Sequence, residues 1–272
     1  MGATTLCILL TLFAFPKADQ VSKTPNSSST SRQDMSGSVH AGISKEELKK
    51  EARMDEFLED ARQALVEKDY PKAISRAESA LDFAPQIQDG YRRHRAMDDA
   101  LDYLGKSYIY MRKFQQAERT YQQRLAVEKT YETFESSIAG NLQMLGMIEG
   151  AQGHWQSAAS FYLKSSRYLD DCIRHYKKSD DYDPQDIVAN NQRRQKSELL
   201  FYLAAAYSHE GKIGEVLKSC DEAYILGKKF HAEPASLIQI AEAAISLLKG
   251  SGESSTFDMW RAREKTLRSQ MP

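Results

Sequence analysis

Along this chain, helical runs rich in leucine end four times in a small residue, and an aromatic-and-alanine pattern follows each one. The second copy reads Leu101, Leu104, Gly105, then Tyr108, Phe114, Ala117 and Tyr121. The third reads Leu142, Leu145, Gly146, then Trp155, Ala158 and Tyr162. The fourth reads Leu200, Leu203, Ala204, then Tyr207, Ile213, Val216, Cys220 and Ala223. The first is sparser: Phe57, Ala61, Tyr70, Ala73, Ala80 and a closing Pro85. Self-similarity at this scale marks stacked supersecondary units, each unable to bury its apolar face alone. The small residues at 61, 105, 146 and 204 stand 44, 41 and 58 positions apart, against about 34 for a minimal helical-hairpin repeat. The pattern predicts an all-α solenoid of antiparallel helical hairpins, with longer helices or extended connections.

Start and stop signals sharpen the elements. Ser44 and Glu47 have capping-box spacing, with the serine accepting from a first-turn amide and the glutamate reaching back. No Pro or Gly interrupts the chain from there to Lys68, and Pro71 opens the partner helix. Gly153 and Gly211 fall at inter-helix turns that call for positive φ. The acidic run Asp180-Asp181-Tyr182-Asp183-Pro184 lacks the glycine and closing glutamate of a calcium loop. It reads instead as a cap (Asp183) and first helical residue (Pro184). After the fourth repeat, Leu237, Ile240, Ala241, Ala244 and Leu248 share a helical face. A loop from Gly250 to Ser254 leads to a last helix from about Thr256, with Ser255 as cap and Asp258 three residues on. Phe257, Trp260 and Leu267 face inward there, and Arg261, Arg263, Lys265 and Arg268 meet water, as a terminal capping element requires.

The N-terminus changes the picture of location. Leu6 to Phe15 is apolar but for Thr11, the length of a secretory h-region, with Ala14 or Ala18 near a cleavage point. No Lys or Arg precedes it. Residues 1–18 therefore read as an export signal, secreted or periplasmic in destination, or alternatively as an uncleaved membrane anchor. Residues 22 to 38 hold nine Ser or Thr in seventeen positions, a composition that cannot offset its ordering entropy. Residues 19–43 form a disordered linker in this reading, with Asn26-Ser27-Ser28 a glycosylation acceptor if the source is eukaryotic.

Composition excludes several classes of chemistry. The 272 residues carry a net charge of −1, without the basic excess of a dedicated nucleic-acid binder. Only Cys172 and Cys220 would remain after cleavage, too few for a disulfide framework, and Cys220 occupies an apolar slot of the repeat. None of the histidines at 40, 94, 154, 175, 209 and 231 makes a metal-binding pair at helical spacing. No phosphate loop or nucleophile elbow appears. The chain reads as a non-enzyme with no metal, cofactor or small-molecule substrate.

The repeats resemble tetratricopeptide repeats (TPR). The resemblance rests on Leu104-Gly105-x-x-Tyr108 with Ala117 and Tyr121, and on Leu145-Gly146 with Gly153, Trp155, Ala158 and Tyr162. It covers about 54–87, 98–131, 139–172 and 197–230, within a domain spanning 44–232, before a capping helix pair at 233–272. Asp60 and Ala77 depart from the pattern in the first repeat, as does Glu149 in the third. The resemblance implies a TPR-like α-solenoid whose small residues admit the neighbouring helix closely while aromatics fill the wedge. It also implies that first helices line a concave groove for an extended or helical peptide. By position that groove would present Arg62, Asp102, Tyr103, Lys106, Tyr110, Gln143, Met144, Met147, Phe201, Tyr202 and His209. Some relatives clamp an acidic C-terminus with Lys, Asn and Arg. The matching positions here hold Leu58, Arg62, Tyr103, Asp99 and Met144, so the clamp is absent. The expected function is a non-catalytic adaptor or scaffold for a protein or peptide partner. The alternative is a membrane-held regulatory or assembly subunit of an enzyme complex. Self-association is open to such surfaces, but no residue pattern marks a specific interface.

Overall fold

The computed structural model describes residues 44–130, 135–178, 187–229, 234–249 and 254–269. The signal-like stretch, the linker with Asn26 and the acidic run at 180–183 lie outside them. The described residues form ten α-helices and no strand: α1 (Lys45–Val66), α2 (Tyr70–Phe83), α3 (Gly90–Tyr110), α4 (Phe114–Thr130), α5 (Glu135–Ala151), α6 (Trp155–Lys178), α7 (Ile187–His209), α8 (Ile213–Lys229), α9 (Pro234–Leu248) and α10 (Ser254–Arg268). A single 3₁₀ turn, Ala84–Gln86, follows α2. The wide repeat spacing has a direct cause: α1, α3, α6 and α7 run to 22, 21, 24 and 23 residues.

The chain divides into two compact units, which among the described residues are 44–130 and 135–269. In the N-terminal unit α1 pairs with α2 and α3 with α4, and α3 packs on both α1 and α2. In the C-terminal unit α5–α6, α7–α8 and α9–α10 are the pairs. There α7 packs on both α5 and α6, and α9 on both α7 and α8. Each later hairpin thus covers the apolar face that the earlier one leaves open, which is how such units gain a core.

In the second and third hairpins a glycine meets a tyrosine sixteen positions on. Gly105 lies under the Tyr121 ring and Gly146 under the Tyr162 ring, and both tyrosines are fully buried. A Cβ on Gly146 would stand 2.5 Å from Tyr162 Cε1, and one on Gly105 2.6 Å from Tyr121 Cε2. The first and fourth hairpins use smaller pairs at the same separation, Ala61 with Ala77 and Ala204 with Cys220, all buried. Where the first helix carries a methyl, the second gives up its ring. Tyr108, Phe114 and Trp155, expected to fill the wedge, are only partly buried. Tyr162, expected with them, is fully buried, and Tyr121 takes the same place in the second hairpin.

The four turns repeat one geometry. Lys68, Arg112, Gly153 and Gly211 take φ of 65°, 57°, 83° and 72°. The next residue's N–H in each case donates five positions back: Asp69 to Ala64, Lys113 to Tyr108, His154 to Glu149 and Lys212 to Tyr207. The left-handed residue donates three back, to Leu65, Ile109, Gly150 and Ser208. This is the Schellman closure, which satisfies the last carbonyls of a helix. Glycine fills the left-handed position in two turns; Lys68 and Arg112 hold it despite their Cβ atoms.

Several terminal assignments change. Ser44 caps α1 by accepting from Glu47 N–H at 3.1 Å. The Glu47 carboxylate does not reach back; it accepts from Gln88 N–H at 2.6 Å, tying α1 to the start of α3. The last helix already includes Ser254, so Ser255 sits inside it and is not its cap. Trp260 and Leu267 are buried as expected. Arg263 turns partly away from water: its guanidinium lies 4.6 Å from the Tyr224 ring centre and 4.5 Å from that of Trp260, and donates to Asp221 at 2.6 Å.

Candidate functional site

The candidate groove residues fall into two sets, one in each unit. In the N-terminal unit, Tyr103 and Tyr110 lie seven residues apart on α3, hence on one face. Both rest with Tyr70 on the buried Ala64–Leu65–Ala73 cluster, where a sequence of small side chains leaves room for rings. Tyr70 and Tyr110 stack at 5.1 Å between centroids, 13° from parallel. Burial and the neighbouring carboxylates Asp99 and Asp102 push the Tyr103 hydroxyl pKa up, while Arg62 opposes them. Burial does the same for Tyr110. Both phenols are therefore neutral donors at any physiological pH. Arg62 stands on α1 and its Nε donates to Glu59 at 2.8 Å, a bond that holds its pKa up.

Beneath this wall lies an ionic cluster absent from the sequence reading. Arg124 on α4 donates to Asp98 at 2.8 and 2.9 Å and to Asp102 at 2.8 Å on α3. Lys106 donates to Asp102 at 2.6 Å, so the lysine expected as a groove contact is already engaged one turn back. Burial alone would raise the Asp102 carboxyl, yet Lys106 and Arg124 hold it below its ordinary value. Asp99 behaves oppositely. Its burial, with Asp98 and Asp102 adding to it, pushes the carboxyl up to about 6 despite Arg95 and Arg124. The 26-residue spacing of Asp98 and Arg124 across two helices gives no local signal in sequence.

In the C-terminal unit the Gln143 side chain accepts from Gln195 Nε2 at 3.4 Å, joining α5 to α7. Met144 is half-buried. Met147 is a correction: at 3% exposure it belongs to the core and offers no surface to a partner. Helical periodicity could not separate it from a wall residue, because both faces of α5 are apolar. Phe201 and Tyr202 are half-buried, and the Tyr202 ring lies 5.9 Å from that of Tyr162. Burial, helped by Glu198, pushes the Tyr202 hydroxyl up to about 12. His209 stacks on Trp155 at 3.7 Å and 4°, and burial lowers its pKa.

Among the described residues no three His, Cys, Asp or Glu side chains are grouped to hold a metal. Cys220 is buried, and its burial pushes the thiol up to about 12, far from a reactive thiolate. Among the described residues no helix is long and apolar enough to cross a membrane.

No protein-family model and no curated protein matches the chain. Solved structures do match. BtubC (BKLC) from P. vanneervenii superposes with a TM-score of 0.62 at 15% identity, over 82% of this chain and 91% of that one. A Podosopora anserina kinesin light chain candidate with nearly identical TPR-like repeats gives 0.57 at 13% identity, over 82% and 99%. The apo form of RapI gives 0.55 at 10%, over 80% and 84%. At these identities the likeness establishes the fold alone: the chain has a TPR-like, all-α architecture of antiparallel helical hairpins.

Proposed function

We propose that this protein is a non-catalytic adaptor that holds an extended or helical segment of another protein. The observation that carries the reading is the tyrosine wall of the N-terminal unit, where Tyr103 and Tyr110 are partly buried over one cluster with Arg62 close to Tyr103. Tyrosine gives a partner an apolar ring and a polar tip at low conformational cost. Half-burial fixes each ring from below, so little order is lost when a partner covers the remaining face. The TPR-like fold supports the reading, because within the N-terminal unit the first helices α1 and α3 pack on one another.

The test is cross-linked affinity purification of full-length protein from its native cells, with a Tyr103→Ala/Tyr110→Ala variant alongside. Aromatic anchors contribute on the order of 1–2 kcal/mol each, so the variant should lose one partner by more than about tenfold. Circular dichroism must show unchanged helicity. Equal recovery of every partner by a fully helical variant refutes the wall as the binding surface.

A further inference from the structure

The face of α8 in the C-terminal unit carries a second, chemically different surface. Two cavities of about 410 and 490 Å3 open there, and Ile225 and Lys229 line both. Ile225 is 55% exposed, an unusual position for an aliphatic side chain flanked by concavities. Along the helix, Lys218, Ile225 and Lys228 or Lys229 recur at seven- and three- or four-residue spacing, which places them on one stripe. The stripe from 218 to 229 is about 16 Å long, the length of three helical turns.

Two lysines on this face stand outside its ion pairs. The cavities are lined by Arg193, Lys196, Lys218, Lys228, Lys229 and Arg263 with Asp170, Asp221 and Glu222, and Arg193 and Lys229 are engaged along with Lys196 and Arg263. All three carboxylates are already engaged. Asp221 accepts from Arg263 at 2.6 Å, and Lys196 bridges Asp170 at 2.6 Å and Glu222 at 3.4 Å. Among the described residues, no carboxylate lies within 4.0 Å of the Lys218 or Lys228 ammonium. The face therefore offers an apolar projection, two adjoining hollows and uncompensated positive charge on either side.

We propose that this α8 face docks an acidic peptide segment of a partner protein, which places aliphatic or aromatic side chains in the hollows beside Ile225 and carboxylates against Lys218 and Lys228. A nucleic acid fits less well, because the fixed carboxylates Asp170, Asp221 and Glu222 would oppose a uniformly charged phosphate backbone. The surface lies in the other unit from the tyrosine wall and shares no residue with it.

The experiment selects 12-residue peptides from a phage-displayed library against the full-length protein, then measures the enriched peptide, fluorescently labelled, by anisotropy. Acidic sequences with an apolar residue should enrich. Their affinity should fall at least tenfold in Lys218→Glu/Lys228→Glu and several-fold in Ile225→Ser, and weaken between 0.1 and 0.5 M NaCl as screened charge requires. The Tyr103→Ala/Tyr110→Ala variant should bind them as wild type does. All three substituted α8 side chains are exposed, so unchanged helicity is expected and is checked by circular dichroism. Enrichment without acidic bias, affinity insensitive to lysine reversal, or equal lysine-dependent binding of a 12-nucleotide single strand overturns the proposal.

Discussion

Gly146→Ala isolates the contact on which the third hairpin depends. The added Cβ would sit 2.5 Å from Tyr162 Cε1 and 2.7 Å from Cδ1, where carbon pairs favour about 3.5–4.0 Å. The ring must therefore retreat by about 1 Å, but Tyr162 is fully buried and its outer side meets the Tyr202 ring. Overpacking of this kind costs about 1–3 kcal/mol, while glycine to alanine inside a helix returns about 1 kcal/mol. Gly140→Ala on the same helix supplies the reference, because its Cβ would meet only the Gln195 amide nitrogen, at 3.9 Å. Gly146→Ala should be less stable than Gly140→Ala by about 1–3 kcal/mol. Urea unfolding followed by tryptophan fluorescence reports this unit directly, since Trp155 and Trp260 are the chain's two tryptophans and both lie within it. Unchanged slopes would confirm that the same surface unfolds in each variant. Changing Tyr162 to Cys as well, the pairing used at Ala204 and Cys220, should remove the penalty and make alanine at 146 favourable. Two alanine variants of equal stability within about 0.5 kcal/mol would refute the ring contact as the reason for glycine.

Two further predictions concern the turns and the ionic cluster. Gly153→Ala places a Cβ in open space at φ 83°, so its cost is pure backbone strain of about 1–2 kcal/mol; Lys68→Gly, at φ 65°, should be neutral or stabilising by up to about 1 kcal/mol, and urea midpoints in the reverse order would contradict the assigned geometry. Asp99 has a folded pKa raised from 3.8 to about 6, so its favourable contribution is intact below about pH 4 and lost as pH rises through about 6. Asp99→Asn should therefore exceed wild type in stability at pH 7–8 by about 1–2 kcal/mol after solvent screening, with the gap closing toward pH 4; a pH-independent difference in chemical denaturation would sink the assignment.

The fold class was legible because its signals are local and repeat. Small residues at 105 and 146, aromatics sixteen positions on, and glycines at 153 and 211 are each a short-range pattern seen more than once. Repetition turned weak signals into a consistent one. What escaped notice was whatever depends on a partner from another helix. Lys68 and Arg112 adopt the glycine conformation without being glycine, since the two Schellman bonds and the packed helices around each turn fix φ more firmly than residue type does. Glu47 abandons its capping role because Gln88 N–H, 41 residues on, offers a buried partner. Arg263 packs on two rings and a carboxylate that only α8 and its own helix bring together.

The candidate site divides along the same line. Tyr103 and Tyr110 could be placed on one face from spacing alone, but of the cluster that supports both rings only Ala73 stood in the repeat pattern, and Ala64 and Leu65 emerge from the packing. Lys106 and Met147 could not be judged that way. A lysine one turn after an aspartate reads as a solvated pair in any helix, yet here Asp102 is also claimed by Arg124 from α4, and the lysine is fixed as part of a buried charge balance. Met147 lies on a helix with apolar residues on both faces, and packing leaves it 3% exposed. The α8 face shows the converse. Ile225 lies two residues past Ala223, the last repeat position read from the sequence, and only the packing of α6, α7 and α10 around it shows an aliphatic side chain 55% exposed between two hollows. Periodicity therefore finds which residues share a face, while the identity of the opposing helix decides whether that face is core, ion pair or binding surface.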